Sequence, residues 1–233
     1  MNKKRIVVFL IFILVLMAAN VSAHDKGDLM LHIEPQIGYT VPDISIKSGG
    51  IALDKDMNTL SFGFNYALMG TVHYYFVNFF GVNAGVGYSG FVSFYNISDD
   101  DINFDQSVFF SASYFTIPFG VRFSLGALAV GAGLTGNFPM GGGSSWLGDT
   151  DFEDKKFELN SYLGWYADIG FDMSGRKGRG GGFGILFRFS GSTTGPIAST
   201  GRSGIDYDRF DIFSMSLVFS PAIQLASLPI GGK

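Results

Sequence analysis

The sequence predicts an all-β protein, namely an eight-stranded antiparallel up-and-down transmembrane β-barrel preceded by a cleavable signal peptide. Three observations lead to this prediction. The first residues have the composition of an export signal, eight later segments alternate apolar with small or polar residues, and no apolar stretch after residue 23 is long enough for a membrane-spanning helix. An exported chain with 47% hydrophobic and only 15% charged residues therefore has to place its apolar surface against lipid through strands.

The first 23 residues contain the three parts of a secretory signal. Lys3, Lys4 and Arg5 are followed by an apolar run at 6–19 and then by the small residues that end at Ala23. The apolar run of 14 residues is shorter than the ~17 residues that a spanning helix requires. We therefore expect a signal peptide at 1–23, cleaved near Ala23, then an outer-membrane barrel at 24–220 and a short periplasmic tail at 221–233.

The alternation is clearest between Leu60 and Phe76, where every even-numbered residue is apolar except Gly70. A period of two residues is the signature of a strand, and seventeen residues exceed the ~9–11 that cross a bilayer at a tilt. Seven other segments show the same pattern. The eight predicted strands cover 29–39, 60–76, 80–94, 114–125, 127–138, 157–171, 182–190 and 210–219.

The connections between these strands alternate strictly between short turns and long polar loops. This pattern predicts a meander with all long loops at one end, and an exported N-terminus places that end outside the cell. The loops contain thirteen acidic and five basic residues. The predicted extracellular loops are 41–58, 96–106, 139–156 and 193–208.

A soluble β-sandwich also has alternating strands, but its outward faces carry charged residues and threonine. In this chain the non-apolar faces carry mainly glycine, serine and asparagine, which fits the narrow interior of a membrane barrel better than a surface in water. The prediction therefore inverts the soluble arrangement: apolar side chains contact lipid and polar side chains line the interior.

An eight-stranded barrel has an interior just wide enough for side chains to fill. One interpretation is a plugged, hydrogen-bonded interior in which Arg122 and Arg188 pair with Glu34 or Asp168, because an unpaired buried charge is costly. The other is a narrow path along rows of glycine that allows slow passage of small solutes. The residues predicted to form the interior network are Glu34, Arg122, Asp168, Arg188, His32, His73 and Tyr166.

The segment from Tyr114 to Phe123 contains aromatic, Ile-Pro, basic and aromatic residues in that order. It resembles a strand of the small outer-membrane-protein β-barrel (porin-like) family of Gram-negative-type bacteria, the eight-stranded class that includes OmpX and OmpW. The resemblance implies that the last strand carries the assembly signal read by the barrel-assembly machinery, with Phe219 as its terminal aromatic. The residues of that signal are Phe213, Met215, Leu217 and Phe219.

The leading function is a porin-like or structural barrel in the cell outer membrane, and the alternative is a surface-exposed adhesin or ligand-binding barrel that acts through its acidic loops. We expect no enzyme, because the three histidines are poorly placed for a catalytic triad and no Gly-x-Ser-x-Gly occurs. We also expect no cofactor and no metal. The acidic clusters 99–101 and 149–154 lack the spacing of a calcium loop.

The partners expected are outer-membrane lipid, the assembly machinery, and small solutes or host ligands. Loss of three cationic leader residues lowers the net charge from −4 to −7, which disfavours nucleic acid. The chain has no cysteine, so it forms no disulfide and carries no lipid on a cysteine.

Overall fold

The computed structural model describes most of the chain after the expected signal peptide. The described residues are 24–48, 51–52, 62–99, 104–147, 152–155, 158–174, 180–197 and 205–227. The predicted signal peptide at 1–23 lies outside them, as do parts of all four predicted loops. Among the described residues no helix is long and apolar enough to cross a bilayer.

Eight long strands account for most of the described residues. They are β1 (Asp28–Ser48), β2 (Phe62–Val77), β3 (Phe80–Asp99), β4 (Phe104–Leu125), β5 (Leu128–Leu147), β6 (Tyr162–Asp172), β7 (Gly181–Ser192) and β8 (Ile205–Ser227). Two short segments, Ile51–Ala52 and Phe152–Lys155, pair with β1 and β5.

The eight strands form a closed antiparallel ring in which each strand pairs with its neighbours in sequence, and β8 pairs with β1. The closing pair extends from Asp28 opposite Ser227 to Ser48 opposite Ile205. Since closure leaves none of these eight strands as a free edge, their backbone groups can be satisfied without water. The predicted eight-stranded up-and-down barrel is confirmed.

Tight connections lie at one end of the barrel, which we call the turn end. Residues 78–79 join β2 to β3, and residues 126–127 join β4 to β5. Gly126 has φ 66°, a left-handed conformation that glycine adopts without steric cost. The long connections lie at the opposite, loop end.

Several strands continue at the loop end beyond their predicted limits. β1 reaches Ser48, β3 reaches Asp99 and β5 reaches Leu147, while β4 begins at Phe104 and β8 at Ile205. The predicted loops are therefore too long, because residues 41–48, 96–99, 104–106, 139–147 and 205–208 belong to strands. The backbone hydrogen bonds between strands do not depend on the hydrophobicity of the side chains, so the strands can continue outside the lipid. The alternation of apolar and polar residues therefore marks only the lipid-facing part of a strand.

The last strand also continues past its predicted end. β8 extends to Ser227, so residues 221–227 are strand and the prediction that the barrel ends at residue 220 is wrong. These residues pair with the first residues of β1, and Ile223 and Leu225 extend the outward apolar row. The rest of the predicted tail, 228–233, lies outside the described residues.

The sixth strand begins later than predicted, at Tyr162 instead of residue 157. Residues 158–161 are irregular except for an isolated bridge between Leu159 and Ile197. The small residues Asn160 and Ser161 interrupt the strand here. Asn160 instead donates its backbone N–H to the Pro196 carbonyl at 2.9 Å.

The two faces of the barrel wall have the predicted inverted polarity. Large apolar side chains point outward, and the exposed fractions of Ile37, Phe119 and Phe171 are 67%, 60% and 65%. The side chains of Glu34 and Arg122, in contrast, are 1% and 3% exposed. A wall that is apolar outside and charged inside is stable only with hydrocarbon around it.

Phe187 on β7 tests this polarity. It lies outward between Ile169 of β6 and Leu217 of β8. Phe187→Arg should lower the free energy of unfolding by about 2–4 kcal/mol, the cost of a cation on the lipid face near the bilayer centre, as measured by urea titration in lipid vesicles. Phe187→Leu, which keeps the face apolar, is the control. An arginine variant as stable as the leucine variant would contradict a lipid-facing Phe187.

Candidate functional site in the barrel interior

The interior of the turn half contains a cluster of buried charged side chains. The inward positions of β1, β4, β6 and β7 supply Glu34, Arg122, Asp168, Asp172 and Arg188, all of them buried. We call these five residues the charge network. Strand parity alone brings them inward, since alternate residues of a strand point to the same face.

Arg188 is the best-coordinated member of the charge network. Its Nε and Nη2 donate to the two carboxylate oxygens of Asp168 at 2.7 and 2.8 Å, and Nη2 also donates to Glu34 Oε2 at 3.1 Å. Asp168 and Arg188 are direct partners in the β6–β7 register, which explains the two-point geometry. Bidentate pairs of this kind are among the stronger hydrogen-bonded ion pairs. The guanidinium also lies 4.7 Å from the centre of the Tyr166 ring.

Arg122 approaches three carboxylates but bonds most closely to Asp172, which was not among its predicted partners. Its Nη1 donates to Asp172 Oδ2 at 3.1 Å, whereas its Nη2 is 3.9 Å from Glu34 Oε1 and 4.0 Å from Asp168 Oδ2. Parity indicates that Asp172 points inward, but the expected partners were Glu34 and Asp168. The stagger between β4 and β6, which decides the pairing, is not visible in the sequence.

The two histidines of the predicted interior network, His32 and His73, lie close to Glu34. His73 Nε2 is 3.7 Å from Glu34 Oε1, and the His32 and His73 ring centres are 4.0 Å apart. The structure therefore brings six of the seven predicted interior residues into one connected group. Tyr166, the seventh, joins it through the Arg188 contact and exchanges hydrogen bonds with Asn83 of β3 at 3.0 and 3.3 Å.

The Tyr166 side chain fills the space that glycines leave on the neighbouring strands β5 and β4, and Gly133 is its direct partner in the β5–β6 register. A Cβ added at Gly133 of β5 would lie 2.6 Å from Tyr166 Cζ, and one added at Gly120 of β4 would meet the Tyr166 hydroxyl. Glycine is required at both positions for this close approach. The row of small residues on β4 and β5 is therefore occupied by the tyrosine of β6.

A cavity of about 90 Å³ lies on the loop side of the charge network. A cavity of this size is large enough to hold water. Its wall combines polar and apolar side chains from all eight strands. The polar ones include Gln36, Asn65, Thr116, Asn137, Tyr162, Tyr166, Arg188 and Ser214, and the apolar ones include Met69, Phe91, Trp165 and Ile212.

An aromatic cluster borders the cavity toward the loop end. It consists of four buried residues, Phe91, Phe110, Tyr114 and Phe210. The ring centres of Phe91 and Phe110 are 5.5 Å apart, and those of Phe110 and Phe210 are 5.0 Å apart. The Tyr114 hydroxyl donates to the Pro196 carbonyl at 2.9 Å, which ties the cluster to the segment after β7. The alternation pattern did not predict this cluster, because the pattern assigns apolar residues to the lipid face.

The turn end is closed by a smaller apolar group. Met30, Tyr75 and Ala222 form a buried cluster, and His24 stacks on Tyr75 with ring centres 3.6 Å apart. His24 precedes the first strand, and its burial lowers its pKa to about 4. The imidazole is therefore neutral at physiological pH, so this end of the interior gains no charge from it.

Arg188 should contribute strongly to stability. Arg188→Met leaves Asp168 and one oxygen of Glu34 without their main partner, and breaking a buried ion pair in this way costs about 3–5 kcal/mol. The measurement is the free energy of unfolding in lipid vesicles. Arg188→Lys, which keeps the charge but loses the two-point geometry, should lose less. A methionine variant within about 0.5 kcal/mol of the unaltered protein, the range of neutral surface changes, would show that the network adds no stability.

No family model and no curated protein matches the chain, but solved structures do. The outer-membrane protein OprG from Pseudomonas aeruginosa has a TM-score of 0.50 at 12% identity, covering 88% of this chain and 99% of OprG. The Ail attachment invasion locus protein of Yersinia pestis has a TM-score of 0.37 at 13% identity, and the match covers 83% of this chain and 99% of Ail. The outer membrane protein AlkL, solved in lipid bilayers, has a TM-score of 0.38 at 14% identity, and the match covers 89% of this chain and 95% of AlkL.

At 12% identity, the similarity to OprG concerns the fold alone. It agrees with the closed eight-stranded ring and the apolar exterior described above. The chain thus has the fold of small outer-membrane β-barrels such as OprG, a closed ring of eight antiparallel strands.

Proposed function

We propose that the protein is a plugged outer-membrane barrel whose function resides at its loop end, on the cell surface, and that it is not a diffusion pore. The observation that carries this proposal is the charge network, which joins side chains from β1, β4, β6 and β7 across the interior. β1 and β4 are not neighbours in the ring, so these contacts cross the lumen.

The energetic cost of opening the network supports a plug. A solute that passes must separate Arg188 from Asp168 and Glu34, and all three groups are buried. Breaking such a pair without a substitute partner costs several kcal/mol. The aromatic cluster on one side and the Met30 group on the other add two apolar barriers in series.

The length of the strands supports a role at the loop end. β4 has 22 residues and β8 has 23, while about 9–11 residues cross a bilayer. At about 3.3 Å per residue, the remainder extends the wall well beyond the lipid. β6 and β7, with 11 and 12 residues, are not extended, so the wall is higher on one side.

The loop composition supports a partner of positive charge. The predicted loops contain thirteen acidic against five basic residues, and charge complementarity favours association with a basic surface. A ligand-binding or adhesive role through these loops is the form of surface function that we propose.

Slow passage of small solutes is the second candidate. The observation that favours it is the cavity of about 90 Å³ beside Arg188, which polar and apolar side chains line together. Rearrangement of the Arg188 and Tyr166 side chains would extend this cavity toward the turn end.

Planar-bilayer recording separates the two candidates. The unaltered, refolded protein should be electrically silent, because the network and its flanking clusters fill the interior. A variant that removes the whole network together, E34S/R122S/D168S/D172S/R188S, leaves no member of the network without its partner and should give discrete conductance steps. Discrete steps from the unaltered protein would contradict the plug and favour the pore.

The proposed orientation can be tested on intact cells. An epitope inserted between residues 149 and 150, in the connection between β5 and β6, should bind antibody without permeabilisation, because the loop end faces outward. The matched control is the same epitope between residues 177 and 178, in the β6–β7 turn, which should bind only after permeabilisation. The reverse labelling pattern would place the loop end in the periplasm and overturn the surface role.

A further inference from the structure

Three buried metal-ligand side chains lie together on two neighbouring strands. His32 and Glu34 are two residues apart on β1 and share its inward face, while His73 points inward from β2. One ring nitrogen of each histidine and one carboxylate oxygen lie within 4.8 Å of one another. The exposed fractions of His32, Glu34 and His73 are 0%, 1% and 1%.

Each of the three side chains has an atom with no hydrogen-bond partner among the described residues. These atoms are His32 Nε2, Glu34 Oε1 and His73 Nδ1. A buried polar atom without a partner is destabilising and uncommon. Three such atoms in one cluster leave its hydrogen-bonding capacity incomplete, and His73 Nε2, the other ring nitrogen, lies 3.7 Å from the unpartnered Glu34 Oε1.

The other polar atoms of these side chains are held in place. His32 Nδ1 is 2.8 Å from the Ser220 hydroxyl of β8, His73 Nε2 is 3.0 Å from the Thr71 hydroxyl, and Glu34 Oε2 accepts from Arg188 at 3.1 Å. Metal-ligating histidines commonly use their second nitrogen in this way, which fixes the ring orientation.

The buried charged side chains carry an excess of negative charge. Among the described residues, the buried carboxylates are Asp28, Glu34, Asp168 and Asp172, and the buried guanidiniums are Arg122 and Arg188. With neutral histidines the buried groups therefore carry two more negative than positive charges. A divalent cation would balance this difference. Both guanidiniums lie near Glu34, but Arg188 bonds to Oε2 at 3.1 Å, and Arg122 bonds to Asp172 at 3.1 Å and stays 3.9 Å from Glu34 Oε1.

We infer that His32, Glu34 and His73 bind one divalent transition-metal cation of the Zn²⁺ class, with a fourth coordination position open to water. Two imidazoles and one carboxylate suit Zn²⁺ and its neighbours in the series, whereas Ca²⁺ and Mg²⁺ prefer oxygen ligands alone. Bonds of about 2.0–2.2 Å require the ligand atoms to move closer together than in the structure, by rotation of the side chains. The bound ion would link β1 to β2 and, through Ser220, to β8 at the closing pair.

The test is Zn²⁺ titration by calorimetry of the full barrel, refolded in detergent and stripped with a chelator. One ion per barrel should bind, with Co²⁺ competing and Mg²⁺ not. His32→Gln and His73→Gln should each abolish this binding, and Ser220→Ala should weaken it by about tenfold or more, the effect of losing an outer-shell partner. His24→Gln and D99N/D100N/D101N, which leave the three ligands intact, should bind as the unaltered protein does.

Failure to bind Zn²⁺, or one-to-one binding that persists in both glutamine variants, would overturn the inference. Binding lost only in D99N/D100N/D101N would also overturn it and assign the ion to a loop. If a glutamine variant does not refold, X-ray absorption of the zinc-loaded unaltered protein decides the matter. Two imidazole ligands would support the site, and a shell of oxygen atoms alone would refute it. None of these outcomes depends on conductance, so the metal site and the plug fail or succeed separately.

Discussion

A lipid bilayer offers no hydrogen-bond partner to a peptide group, and the rest of this structure depends on that constraint. A sheet in hydrocarbon has to close on itself, and here the pairing of β1 with β8 closes it over the length of both strands. Once the sheet is closed, alternate residues of every strand face lipid and the others face the interior. The apolar exterior and the charged interior are therefore two consequences of one ring.

The small diameter of the ring determines what the interior can contain. Eight strands leave space for side chains and little else, so charged residues that point inward are forced into contact. Arg188 contacts two carboxylates and Arg122 approaches three. The same crowding places Tyr166 against the glycines of β4 and β5. The close packing of side chains in the turn half follows from the number of strands and from the size of these few residues.

Strand parity made much of the barrel predictable from the sequence. The alternation around Leu60–Phe76 predicted which side faces lipid, and it placed Glu34, Arg188 and His73 inside. The prediction failed where apolar residues face the interior and where a strand continues beyond its apolar pattern. Phe110 and Tyr114 are apolar yet buried in the interior, and residues 221–227 continue β8 after the terminal aromatic that the family resemblance suggested. The pairing of Arg122 with Asp172 depends on the stagger of strands that are not adjacent, which no local pattern encodes.

The polarity of the wall is the central claim, and tryptophan fluorescence at a single outward position tests it most directly. The two native tryptophans, Trp146 and Trp165, are replaced by phenylalanine, and Phe187→Trp supplies the only indole, in vesicles with or without brominated acyl chains. The inverted barrel predicts strong quenching by the brominated lipid and little quenching by acrylamide in the water. Strong quenching by acrylamide with none from the brominated lipid would mean that this face does not contact hydrocarbon, and the account would be wrong.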